Sequence, residues 1–377
     1  MQIYQNRSLV KDKLKMLPFT LILTICIVCI FGLITLYSAT GCKFFLRAHK
    51  QILYYITFLP IGILLALVDV RYIYKYSYIL YFIVCVVLVM VEIAGYKVMG
   101  ARRWIGISAL RIQPSEVAKI SVILMLARYF HDISVYKLKK IQYSIVPLLL
   151  IAIPITLVIK QPDLGTGIII LLITASMFFA AGITLWIFII TFIAGIILLP
   201  IIWNLLHNYQ KKRIKVFLNP ELDPLGSGYN IIQSKVAIGS GGLSGKGFAQ
   251  GTQSHLNFLP EPQTDFIFAC LGEEFGFIGG FLLLTLYFII ICYSLVIAIN
   301  VRNTFCKLVA IGIVSMLFWH VFINIAMVTG LLPVVGIPLP LISYGGTIIA
   351  STLLGIGLVM NSYVNKDVDI VKSHYLS

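Results

Sequence analysis

The sequence predicts an all-α integral membrane protein: about ten transmembrane helices, with one long extracytoplasmic loop between helices 7 and 8. Three observations predict it. The 377 residues are 60% hydrophobic and only 11% charged, and mean hydropathy is +0.99. A soluble domain cannot cover its surface with so few charges. The apolar residues also gather into runs of roughly 20, the length that crosses a bilayer core. Finally, the polar stretch 207–264 is too long for a simple connection and has the character of a functional loop.

The runs are 17–38, 52–70, 76–94, 115–130, 144–160, 165–181, 183–206, 266–298, 308–332 and 341–364. The first follows basic residues but is too long for a signal-peptide core, so it reads as a span. The fourth is short and carries Glu116 and Lys119 in its first turn. The eighth is overlong and contains "GEEFGFIGG", which predicts a tilt, a kink or an interfacial start. An even number of spans puts both termini on one side. With the long loop left out, the Lys and Arg bias places them in the cytoplasm. Residues 1–377 then form a single polytopic domain, with 207–264 outside.

The formal charge of +15 fits anionic headgroups or phosphate-bearing substrates, and no nucleic acid is expected. Seven cysteines lie mostly inside apolar runs and read as small buried apolar residues. No HExxH motif or Cys/His cluster suggests zinc. No GxSxG motif suggests a nucleophile elbow.

Ionisable groups in spans are costly, so each is a functional hypothesis. Glu116 and Lys119 in "QPSEVAK" share a helical face. They read as a first-turn ion pair or as part of a cavity wall. Asp163 in "QPDLGTG" reads equally as a helix cap or a functional acid. Glu273 and Glu274 are adjacent, so at least one must face protein or water. "GSGYN" and "GSGGLSGKG" supply glycines and Lys246 but lack Walker spacing. That region reads as a phosphate-binding loop or as a flexible linker. Asp265 in "FLPEPQTDFIF" begins an apolar helix. It reads equally as a cap, since Thr264 or Asp265 fits the first turn, or as a general base whose pKa partial desolvation raises.

Four stretches carry a resemblance. "GARRWIGISALRIQPSEVAK", "QPDLGTG", "FLNPELDPLGSGYNIIQSKVAIGSGGLSGKGFAQGTQSHLNFLPEPQTDFIFACLGEEFG" and "GLLPVVGIPLPLISYGGT" resemble the SEDS family (shape, elongation, division and sporulation) in order and spacing. The details resemble the elongation branch more than the division branch. The resemblance implies a ten-helix peptidoglycan glycosyltransferase of the bacterial cytoplasmic membrane, active on its outer face. It implies polymerisation of lipid II into β-1,4 strands with release of undecaprenyl pyrophosphate. Partners would be a class B penicillin-binding protein (a transpeptidase), undecaprenyl lipid and other elongation-complex proteins. Asp265 falls on the family's essential loop acid. Glu116, Lys119 and Asp163 fall on its embedded polar positions, Gln233 and Ser234 on "QSK", and Ser343 on the "SYGG" turn. Lys50 and Arg103 join the cations available for pyrophosphate. Gln263 stands where many members have His, and Lys50 where many have Arg. Mg²⁺ or another divalent cation is a possible cofactor, with the metal unassigned, and no organic cofactor is expected. The competing reading is a lipid II flippase.

Overall fold

The computed structural model describes residues 12–372 except 43–46, 99–100, 108–109, 135–136, 138–139, 141, 206–207, 225, 257 and 260. Its helices are α1 Phe19–Ala39, α2 Ala48–Leu67, α3 Val70–Ala94, α4 Pro114–Asp132, α5 Gln142–Lys160, α6 Leu164–Ala180, α7 Leu185–Leu205, α8 Asn208–Leu218, α9 Ser227–Ser240, α10 Thr252–His255, α11 Ile267–Asn300, α12 Thr304–Val328 and α13 Gly346–Val364. A short 3₁₀ turn, Pro220–Leu222, joins α8 to α9.

The helical architecture follows the apolar runs. Among the described residues, seven helices are long and apolar enough to cross a membrane: α1, α2, α3, α5, α11, α12 and α13. Two more, α6 and α7, are apolar but shorter as continuous apolar stretches. The remaining candidate, α4, is sheathed by other helices: Glu116, Lys119 and most of its other side chains are buried. Its mixed composition is therefore that of an interior helix, which needs no lipid-facing stripe.

The core centres on α12, which packs against α4, α6, α11 and α13. Helices α2 and α13 approach closely. A Cβ on Gly357 would lie 2.6 Å from the Gly62 carbonyl oxygen, and one on Gly62 would lie 2.8 Å from that of Leu353. Small residues let helix backbones touch where lipid supplies no hydrophobic drive.

Three features differ from the sequence reading. A three-stranded antiparallel meander, β1 Tyr96–Val98, β2 Ala101–Ile107 and β3 Leu110–Ile112, fills the α3–α4 connection. Trp104 pairs with Tyr96 and Ile105 with Ile112. The 207–264 segment is also not a bare loop, since it carries α8, α9 and α10. Lastly, residues 341–345 are a turn before α13, not its first helical turn. Cys42 is the one exposed cysteine among seven free thiols.

The linker reading of "GSGGLSGKG" gives way to a packed one. The eighth run is a helix broken at Gly276, whose φ is 63°. The break frees backbone groups that the glycine segment satisfies. Lys246 N–H donates to the Glu273 carbonyl (3.1 Å) and Gly247 N–H to that of Glu274 (3.0 Å). Phe277 and Ile278 N–H donate to the carbonyls of Gly242 (2.9 Å) and Leu243 (3.1 Å). A Cβ at Gly245, where φ is +80°, would lie 2.0 Å from the Glu274 carbonyl oxygen. Glycine is required here for backbone approach.

Candidate functional site

Asp265 sits in the turn immediately before α11. Neither capping expectation holds. No side chain caps α11, and the Thr264 hydroxyl instead donates to the Glu261 carbonyl (3.4 Å). The turn is held from outside, by three backbone clamps. The Ser343 hydroxyl donates to the Thr264 carbonyl (2.5 Å) and accepts from Leu339 N–H (2.8 Å). Tyr344 N–H donates to the Gln263 carbonyl (2.9 Å). The Asn324 amide on α12 donates to the Asp265 carbonyl (3.0 Å) and the Ile337 carbonyl (2.6 Å). Ser343 and Asn324 are both fully buried.

These clamps fix the backbone and leave the carboxylate for chemistry. Burial pushes the Asp265 carboxyl up to about 6 and Glu261 reinforces the rise, while Arg213 and Arg103 oppose it. Asp163 adds a smaller raising effect. Gly336, at φ +76°, makes room: a Cβ there would lie 3.3 Å from Asp265 Oδ2.

Asp163 is both cap and junction. Its carboxylate accepts from Thr166 N–H (3.4 Å) and Thr166 hydroxyl (2.9 Å), closing the start of α6. It also accepts from Gln113 (2.9 Å) and Ser115 (3.2 Å) at the start of α4. Arg103 on β2 lies 3.8 Å away and donates to the carbonyls of Gln161 (3.1 Å) and Pro162. Gly165 abuts the 335–337 segment, which flanks Asp265. The "QPSEVAK" and "QPDLGTG" turns thus meet beside the loop acid.

One residue beyond Ser115, Glu116 points into the bundle. Its carboxylate accepts from Lys119 (2.7 Å) and from Ser351 on α13 (2.8 Å). Lys119 Nζ lies 2.8 Å from His320 Nε2 on α12. His320 Nδ1 lies 2.8 Å from the Met316 carbonyl, so Nδ1 carries the proton and Nε2 accepts. This buried network is an ion pair with its remaining polar atoms partnered, the condition under which burial of charge is tolerated.

The other sequence candidates lie apart. Lys50 is exposed at the start of α2; its neighbour Gln51 is the buried one, donating to the Ser343 carbonyl (3.1 Å). Ser234 donates to the Val328 carbonyl (2.9 Å), docking α9 on α12. Gln233 beside it is half-buried. Lys246, read as part of a phosphate-binding loop, pairs its ammonium with buried Glu273 at 2.6 Å and with Thr252 at 2.9 Å. Glu273 also accepts from Gln253 N–H (3.0 Å), while Glu274 accepts from Ser38 and faces His255 at 3.5 Å. Both adjacent acids therefore face protein.

Sequence reasoning passed over Asn324 and Ser351 and gave His320 and Gln51 no role in the site. Asn324 and His320 are polar residues one turn apart inside an apolar run, and that was the available signal.

The fold and site define a class: a polytopic membrane protein with an up-shifted acid held at the end of a helix bundle, flanked by arginines. The family model described as Cell cycle protein (FTSW_RODA_SPOVE) matches residues 15–367. The chain belongs to that family. It is 41% identical over 365 residues to Peptidoglycan glycosyltransferase MrdB of Escherichia coli (strain K12), covering 96% of this chain and 97% of that one. It is 33% identical over 349 residues to Peptidoglycan glycosyltransferase RodA of Treponema pallidum (strain Nichols), covering 73% and 79%. Among solved structures, it superposes with TM-score 0.83 and 27% identity on a chain from "Structural coordination of polymerization and crosslinking by a peptidoglycan synthase complex", covering 94% and 99%. RodA of Thermus thermophilus gives TM-score 0.71 at 25% identity, covering 94% and 98%.

Proposed function

We propose that this chain is a peptidoglycan glycosyltransferase that polymerises lipid II into β-1,4 glycan strands for cell elongation and rod shape. The relatives' activity supports the reaction class. The carrying observation is Asp265: a carboxyl pushed up to about 6, on a turn clamped by Ser343 and Asn324. A base tuned toward neutrality is what abstraction of a sugar hydroxyl proton needs.

The acceptor is the 4-hydroxyl of the terminal N-acetylglucosamine of one lipid-linked disaccharide. Its proton passes to Asp265 as the oxygen bonds to the anomeric carbon of the donor glycan. The bond from that carbon to the undecaprenyl pyrophosphate oxygen breaks, and the pyrophosphate leaves with the electron pair. A single displacement converts the α-linked donor to a β product. Arg103 and Arg213 face Asp265 electrostatically and are the cations to stabilise the departing pyrophosphate. The Glu116–Lys119–His320 network and Asp163 position the elements that carry the site.

A divalent cation such as Mg²⁺ fits one part of this arrangement. Mg²⁺ is typically held by one or two carboxylates together with substrate phosphates. The exposed Glu261 beside Asp265 would supply one such carboxylate, leaving Asp265 free to accept the proton, and no cluster of three or more His, Cys, Asp or Glu among the described residues makes an all-protein cage. When bound, it would supply charge neutralisation at the pyrophosphate.

All ten long helices cross the bacterial cytoplasmic membrane, with both termini cytoplasmic and Asp265 on the outer face. The partner is a class B penicillin-binding protein, in keeping with the synthase complex that the fold matches. The flippase reading draws on the buried ion network. The test is to incubate the purified chain with lipid II in detergent, with and without its transpeptidase. Glycan ladders establish the polymerase. Transfer of labelled lipid II across liposomes without any ladder establishes the flippase.

A further inference from the structure

An apolar groove of about 440 Å³ opens on the outside of the bundle between α3, α4 and α13, with Leu65 of α2 at its rim. Tyr72, Tyr76 and Ser77 of α3 form one wall, Val117 and Leu124 of α4 the floor, and Leu358 of α13 the other wall. The volume lies within the roughly 300–1,000 Å³ of ordinary ligand sites. Tyr72 and Tyr76 remain 61% and 49% exposed. Neither Asp265 nor any residue that clamps it takes part.

The groove lies at the end of the bundle away from Asp265. Helix α2 starts beside the Ser343 turn, where Gln51 donates to the Ser343 carbonyl. It ends at Leu67, whose carbonyl accepts from Lys13 (3.2 Å). Helix α3 begins three residues later, and the groove follows its first turns.

The rim at that end is basic. Arg71 and Lys75 are one turn apart and exposed, on either side of Tyr72 and next to Tyr76. Lys75 Nζ lies 5.7 Å from the Tyr76 ring. Arg128 braces this turn by donating to the carbonyls of Tyr74 (3.0 Å) and Lys75 (2.8 Å), with its guanidinium over the Tyr74 and Tyr78 rings. The nearest acid on the element, Asp69, is occupied in capping α3 through Arg71 N–H (2.9 Å). Asp132 is held by Tyr74.

Length decides between occupants. From Tyr72 to Leu80 the wall runs roughly 12 Å at 1.5 Å per residue. That suits part of one hydrocarbon tail and is too short to seat a partner's spanning helix, which needs about 30 Å. A tail in the groove would place its headgroup at Arg71 and Lys75. Basic rims beside apolar clefts between spans are the pattern that selects anionic lipid headgroups.

We propose that this groove binds one anionic phospholipid of the leaflet opposite Asp265, its acyl chain lying between α3, α4 and α13 and its phosphate on Arg71 and Lys75. The chain end would rest on Val117, adjacent to Glu116, so the bound lipid supports the wall of the buried ion network.

Native mass spectrometry of the purified protein tests this, after exchange into bilayers of equal phosphatidylglycerol and phosphatidylcholine. Two cations near the surface favour the anionic lipid by roughly tenfold or more. The expected result is that excess in the wild type, its fall to about twofold in Arg71→Ala/Lys75→Ala, and loss of the retained lipid in Leu80→Trp, which fills the groove. Equal retention of the two lipids by the wild type overturns the proposal without recourse to any variant. An unchanged preference in the double variant also overturns it. So does displacement of phosphatidylglycerol by undecaprenyl phosphate, which would make the groove a seat for the substrate's own lipid.

Discussion

Replacing Asn324 by leucine isolates the clamp on the loop acid. The side chains are close in size, so little cavity is made. The loss is two hydrogen bonds, to the carbonyls of Asp265 (3.0 Å) and Ile337 (2.6 Å). Asn324 is fully buried, so water does not readily replace it. A buried polar group left unpaired costs about 1–3 kcal/mol, giving about 2–6 kcal/mol for the pair if both stay dry. The penalty falls on the Asp265 turn and the 335–337 segment, where it is relieved by the turn moving. At about 1.4 kcal/mol per tenfold change, polymerisation should fall at least tenfold. The assay is glycan ladder formation by purified Asn324→Leu, together with thermal unfolding in detergent and co-purification with the transpeptidase. Activity within twofold of wild type would refute the reasoning, since the carboxylate would then keep its place without the clamp. Ser343→Ala loosens the same turn, so the two effects should be non-additive in a double-mutant cycle.

Three further outcomes follow from the same structure. Breaking the buried ion pair with Glu116→Gln or Lys119→Met alone should destabilise by about 3–5 kcal/mol, and Glu116→Gln/Lys119→Met together by less than the sum, because neither charge is then stranded; thermal unfolding in detergent reads this. Gly245→Ala combines a left-handed backbone with a 2.0 Å approach to a carbonyl, so the α11 break cannot close; folded yield in the membrane should drop, and normal yield would contradict the packing described. Asp265 has its carboxyl raised to about 6, so its protonated form favours the fold and that contribution is lost as pH rises from about 4 through 6. Asp265→Asn should therefore melt above the wild type at pH 8 and level with it near pH 4, while wild-type polymerisation rises across the same window.

Much of this was legible in the residues, and the exceptions share a cause. Apolar runs marked the long helices because bilayer crossing imposes length and hydropathy on each segment independently. The kink in the eighth run was legible too, as glycines beside paired acids. The meander at 96–112 was not, because its alternation is short and sits between two dominant helical signals. Asn324 and His320 were hidden for a different reason. Each is one polar residue in an apolar run, and its meaning lies in what faces it: the Asp265 carbonyl in one case, Lys119 in the other. Lys246 has a partner that local pattern did not show. A glycine-flanked lysine suggests an anion, but Glu273, 27 residues on, already supplies one. Pairings between distant segments are the part of a site that local pattern does not contain.

The measurement that bears most directly on the account is lipid II polymerisation by purified Asp265→Ala, followed by gel separation of glycan strands. The account predicts no ladder from a variant that is extracted, folded and bound to its transpeptidase like the wild type. A normal ladder from that variant would contradict it, because no other carboxylate described here combines this clamped position with a raised pKa.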